Sequence, residues 1–113
     1  MDFKGAALKF KRYQAGLEAE KKQSLALEEC LPAIEKSLKS VGIENVKVDT
    51  NGSDHVFIRS PDFKKMKNKD GNDLAAIIKS DCADLAKARG YAMDTSASGF
   101  EFGGEPFIAV ELQ

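Results

Sequence analysis

Residues 45–60 read NVKVDTNGSDHVFIRS, and the alternation inside them sets the architecture on either side. Val46 and Val48 fall on one side of an extended chain, and Val56 and Ile58 do the same on the return. Between the two runs, Asn51-Gly52 supplies residues that accept the positive φ angles of a tight turn. Ser60-Pro61 closes the second strand, because proline has no N–H to give to a ladder. The stretch is a β-hairpin.

Downstream, residues 73–89, DLAAIIKSDCADLAKAR, carry Leu74, Ile77, Ile78, Cys82 and Leu85 at helical spacing. Asp70 or Asn72 can cap this helix, and Asp73 suits the positive end of its dipole. Lys87 and Arg89 sit at the negative end, and Gly90 is the stop. The remainder alternates between strand and turn: YAMDT, then SASG, FEF, GGEP and FIAVEL. In the last run Ile108, Val110 and Leu112 face one way, and Phe107, Ala109 and Glu111 the other.

Upstream, Phe3, Ala6, Phe10, Tyr13 and Leu17 follow helical spacing, and Leu27, Leu31, Ile34, Leu38 and Val41 resume it. Pro32 lies inside the second set and is welcome only at a first helical position. The expectation is one helix over about 3–30 and another over 32–41, stopped by Gly42, with a single bent helix as the alternative. The first stripe is thin, with charges close by, and is expected to project toward a partner.

These readings give one domain over 1–113, with a compact ββαββ core at 43–113 and the N-terminal helix of 1–30 outside it. The fold class is α+β: N-terminal helices, a β-hairpin, a helix and a second β-hairpin, with the helices on one face of a small, mainly antiparallel sheet. The expected core is Val46, Val48, Val56, Ile58, Leu74, Ile77, Ile78, Leu85, Ile108, Val110 and Leu112.

The net charge of −1 exerts no global pull on nucleic acid or anionic lipid, but its distribution is lopsided. Residues 1–22 carry +3 and residues 90–113 carry −4, which suits head-to-tail contact between like subunits. No apolar run reaches membrane-spanning length, and Lys and Arg interrupt the apolar N-terminus where a secretory signal would not allow them. The expected location is a virion or the host cytoplasm, without secretion and without membrane contact. Cys30 and Cys82 are expected as two reduced core thiols.

No catalytic constellation emerges, and no cofactor is expected. The single histidine, His55, stands at a strand start, with no Cys-x-x-Cys or His-x-x-x-His pair to build a zinc site. Residues 68–73, NKDGND, resemble a calcium loop. Aligning Gly71 with that loop's glycine, however, puts Met66 at the first ligand and Ile77 at the closing carboxylate. Turn chemistry and helix capping explain the segment instead. Around it, Lys64, Lys65, Lys67 and Lys69 could touch phosphate or a partner in a connector expected to be exposed and mobile.

Residues 56–112 carry a Ser60-Pro61-Asp62 turn after a strand, an alanine-rich helix ending in Gly90-Tyr91, a strand containing Asp94-Thr95, and a closing hairpin. In this the chain resembles the small head-to-tail joining or neck proteins of tailed bacteriophages. The resemblance implies a noncatalytic virion component that assembles as a homo-oligomeric ring and meets other virion proteins. Its expected contacts are Phe3, Phe10, Tyr13 and Leu17 toward a neighbour, and Phe100 and Phe102 toward the next ring. Two other classes stay open: a small inhibitor or immunity protein that blocks an enzyme with its acidic C-terminal hairpins, and an accessory domain making weak nucleic-acid contact.

Overall fold

In the computed structural model, residues 2–16, 21–100 and 104–113 are described. The element order is α1 (Phe3–Gly16), α2 (Lys21–Ser40), β1 (Lys47–Thr50), β2 (His55–Arg59), a 3-10 turn (Pro61–Lys65), α3 (Asn68–Ala88), β3 (Met93–Ser98) and β4 (Phe107–Leu112). The strands form one antiparallel sheet in the order β1-β2-β4-β3, so the fold is α+β, as the sequence pattern indicates. Strand composition explains that order. KVDT and MDTSAS are polar enough to stand at the edges, whereas HVFIR and FIAVEL have large side chains on both faces and take the centre.

One sheet face is packed. Val48, Val56, Ile58, Ile108, Val110, Leu112 and Met93 point into it and are buried. The three helices lie over that face with α2 in contact with both α1 and α3. α1 and α2 run antiparallel: Gln14 Nε2 donates to Glu28 Oε2, while Phe3 lies beside Glu35. α3 also runs against α2, with Cys82 Sγ near Cys30 O and the Arg89–Glu29 ion pair toward its C-terminal end.

This packing corrects the expected division of the chain. α2 contributes Ala26, Leu27, Cys30, Leu31, Ile34 and Leu38 to the core, and α1 contributes Ala6 and Phe10, so the N-terminal region is core and does not project from it. Nor do residues 3–30 form one helix, since α1 ends at Gly16 and α2, antiparallel to it, starts at Lys21; and Pro32 does not divide two helices, because α2 continues through it. Leu27, Cys30, Leu31, Ile34 and Leu38 keep one buried face in phase on both sides of the proline, and burying that face outweighs about 3 kcal/mol of proline penalty.

α3 begins at Asn68, five residues before the expected start, and Asp70 Oδ2 accepts from the Lys67 N–H instead of capping from outside the helix. Its buried face is Gly71, Leu74, Ala75, Ile78, Cys82 and Ala86, whereas Ile77 and Leu85, expected in the core, are exposed. The small residues carry the stripe because they let α3 sit close to its neighbours. Val46 is only partly buried against the core. The stretch expected as a mobile connector is mostly ordered: Ser60 Oγ accepts from Asp62 N at the head of the 3-10 turn, and Phe63 is fully enclosed, its ring centroid 5.3 Å from that of Phe100.

The first hairpin loop departs from the two-residue turn. Only Gly52 has positive φ, and Asn51 Oδ1 instead accepts from the N–H groups of Ser53, Asp54 and His55, an Asx-type loop. Ser24 Oγ donates to Gly52 O at 2.9 Å, which fastens the loop to α2. In the second hairpin, Ser96 to Ser98 extend β3 where a turn was expected. Phe100 turns into the core outside any strand, and the rest of the expected FEF strand lies outside the described residues.

Candidate contact face of the sheet

The second face of the sheet is covered by no helix among the described residues. Alternation along each strand puts Lys47 and Asp49, then His55, Phe57 and Arg59, then Phe107, Ala109 and Glu111, then Asp94, Ser96 and Ser98 on it. The register arranges them in rows. Lys47, Arg59, Phe107 and Ser98 lie side by side; next come Asp49, Phe57, Ala109 and Ser96; then His55, Glu111 and Asp94. One end carries Lys47 and Arg59 with Phe107, the middle Phe57 with Asp49, and the other end is anionic around a histidine.

Contacts hold these groups in place. Phe57 and Phe107 meet edge to face at 6.0 Å between centroids. Arg59 Cζ stands 5.4 Å over the Phe107 ring, while its guanidinium donates to Asp49 Oδ2 at 3.0 Å. His55 stacks on Phe57 at 5.8 Å. The two nitrogens of its ring face carboxylates, Nδ1 at 2.9 Å from Asp54 Oδ1 and Nε2 at 3.5 Å from Glu111 Oε1. Burial raises the Asp54 carboxyl, but hydrogen bonds from Asn51 and His55, with the charge of His55, outweigh it and hold the group below its ordinary value.

Asp54, His55 and Glu111 are the group among the described residues that could hold a metal ion. All three are half-buried, and the carboxylates already serve the imidazole. That arrangement orients the ring as one pole of the face.

The residues expected to make contacts are scattered by the fold. Phe10 and Phe100 are buried in the core and cannot dock on a neighbour. Phe10 is fully enclosed in the core, and Phe100 lies over Gly71, where its ring occupies the place a Cβ would take. Phe3 and Tyr13 are partly buried, and Leu17 and Phe102 lie outside the described residues. Lys64, Lys65, Lys67 and Lys69 are exposed around the 3-10 turn and the start of α3. Asp62 and Asp70 stand among them, so they do not form a uniform cationic surface.

Sequence reasoning missed Phe57, Arg59 and Phe107 as surface groups. The signal was in the strands: at these positions, where a solvated face would carry small polar residues, HVFIR and FIAVEL place aromatics. Cys30 and Cys82 are both free and buried. The Cys82 thiol is held well above the ordinary thiol range by its hydrogen bond with Cys30 and by burial. The chain matches no protein-family model and no curated protein. No helix among the described residues is long and apolar enough to cross a membrane.

Proposed function

We propose that this chain is a noncatalytic assembly protein that works as a homo-oligomer, the role of a head-to-tail neck component in a tailed-phage particle. The uncovered sheet face supports this reading. Phe57 and Phe107 form an aromatic centre, Lys47 and Arg59 a cationic end, and Asp54, Asp94 and Glu111 an anionic end. Aromatic residues and arginine are the groups enriched at the centres of protein contacts. A face with opposite poles is complementary to its own copy turned end for end, which an isologous contact requires. In a neck assembly this face would meet the adjoining ring or virion protein, the part first given to Phe100 and Phe102.

The anionic end favours a second reading, a small inhibitor that presents Asp54, Asp94 and Glu111 to a basic site on an enzyme and acts as a monomer. Light scattering of the full chain and of a Phe57→Ser/Phe107→Ser variant separates the two. Assembly predicts an oligomer whose mass falls in the variant while far-ultraviolet circular dichroism is unchanged. A monomeric wild-type chain moves the assignment to the inhibitor.

A further inference from the structure

Four large apolar side chains are exposed among the described residues: Leu8, Val41, Ile77 and Leu85. Leu8 is the most exposed, at 54%. It stands on the outer face of α1, opposite Ala6 and Phe10, which go to the core. Lys4, Lys11 and Arg12, one turn to either side, are exposed beside it. The outer face of α1 is therefore an apolar knob ringed by three cations.

Val41 and Ile77, 47% and 37% exposed, belong to a groove of about 400 Å³ between the end of α2, the 3-10 turn and the start of α3. Ile43, Met66 and Leu74 complete its apolar floor. Its polar lining is Asp62, Asp70 and Asp73, and no basic side chain among the described residues lines it. The groove is an apolar socket lined by three carboxylates, with Lys64, Lys65, Lys67 and Lys69 exposed on the same turn and helix start but outside its lining.

The two surfaces match in both respects, apolar centre to apolar centre and cations to carboxylates. Within one chain they do not meet. α2 lies between α1 and α3, and Leu8 is not among the residues lining the groove. We infer that the occupant of the groove is a second copy of this chain, which inserts the Leu8 face of its α1 between Val41 and Ile77, with Lys4, Lys11 and Arg12 against Asp62, Asp70 and Asp73. The inference rests on the homo-oligomeric reading and names its subunit contact. Because knob and socket are different surfaces, each copy that donates a knob still offers a socket. Such a heterologous contact grows into a ring where the rotation closes. The contact gives the neighbour-binding part to the outer face of α1, not to the stripe of Phe3, Phe10 and Tyr13, of which Phe10 is buried and the other two are partly buried.

The test is sedimentation of the wild-type chain, of Leu8→Glu, of Ile77→Lys, and of an equimolar mixture of the two variants, all in low salt. Both substitutions are at exposed positions, and circular dichroism verifies that each variant is folded. Each single variant is expected to associate at least tenfold more weakly than wild type. The mixture is expected to form larger species than either variant alone, because an intact knob then meets an intact socket. Wild-type assembly that neither variant weakens overturns this contact and leaves the assembly reading standing. The same holds if both variants are weakened and mixing restores nothing. A wild-type chain that is monomeric throughout overturns both.

Discussion

Gly71 and Phe100 show how closely single residues are fitted. A Cβ on Gly71 would lie 2.8 Å from Phe100 Cδ2, and that ring is backed by Phe63 and has little room to retreat. Alanine favours a helix over glycine by about 1 kcal/mol, so Gly71→Ala on propensity alone should stabilise α3. We expect the reverse, a loss of about 1–3 kcal/mol from overpacking, read as a lower denaturant midpoint at unchanged slope. The further change Phe100→Leu should recover part of it. Asp54 makes a pH-dependent contribution. Its folded-state pKa is depressed, so its stabilisation is complete above the unfolded carboxyl pKa and fades as pH falls through the lower folded value. Thermal melts across about pH 2–5 should show a shallower acid decline for Asp54→Asn than for wild type. Neither feature was legible beforehand. In the sequence Gly71 looks like a turn glycine and Phe100 like a strand residue, and only the path of the chain brings them together.

The elements were legible in kind and misjudged in extent, for reasons that differ between them. β2 and β4 read correctly because each alternates over its whole length, and the paired-hairpin plan followed from that. The N-terminal helices were misread at Pro32, because a local penalty was set against no estimate of the buried face around it. Pro32 is exposed and its place in α2 is helical, so Pro32→Ala restores a backbone hydrogen bond at little packing cost. It should stabilise the protein by about 1–3 kcal/mol, measured by chemical denaturation. An unchanged or lower midpoint would mean that the helix gains nothing from a continuous ladder there. α3 was misread at its face, because Ile77 and Leu85 outrank Ala75, Ala86 and Gly71 in hydrophobicity, while close packing between helices selects the small residues. The lysine-rich segment was misread because its charges drew notice away from Phe63. That ring is fully enclosed, and Phe63→Ala should cost about 3–5 kcal/mol, a loss that a solvated connector would not show.

At the scale of the whole molecule, α1 and α2 are part of a single core, and this reverses the expectation of a compact core confined to 43–113. A chain lacking residues 1–16 loses Ala6 and Phe10 from the core and uncovers the Gly52 loop, which Tyr13 covers. It should melt well below the full chain in a thermal scan, and a truncated protein of undiminished stability would show that α1 is only appended. Among the described residues, folding leaves uncovered the sheet face, the Leu8 knob and the Val41–Ile77 groove, each built from apolar groups bordered by charge. The lopsided charge of the sequence suits attraction between copies without locating it, because location depends on which faces of α1 and α3 the core consumes. Self-association is the claim on which this account stands, and sedimentation velocity of the full chain over micromolar to submillimolar concentration, in low and in high salt, tests it most directly. The account predicts a mass that rises with concentration above that of one chain and falls as salt screens the charged rims. A single species of one-chain mass under every condition would contradict it.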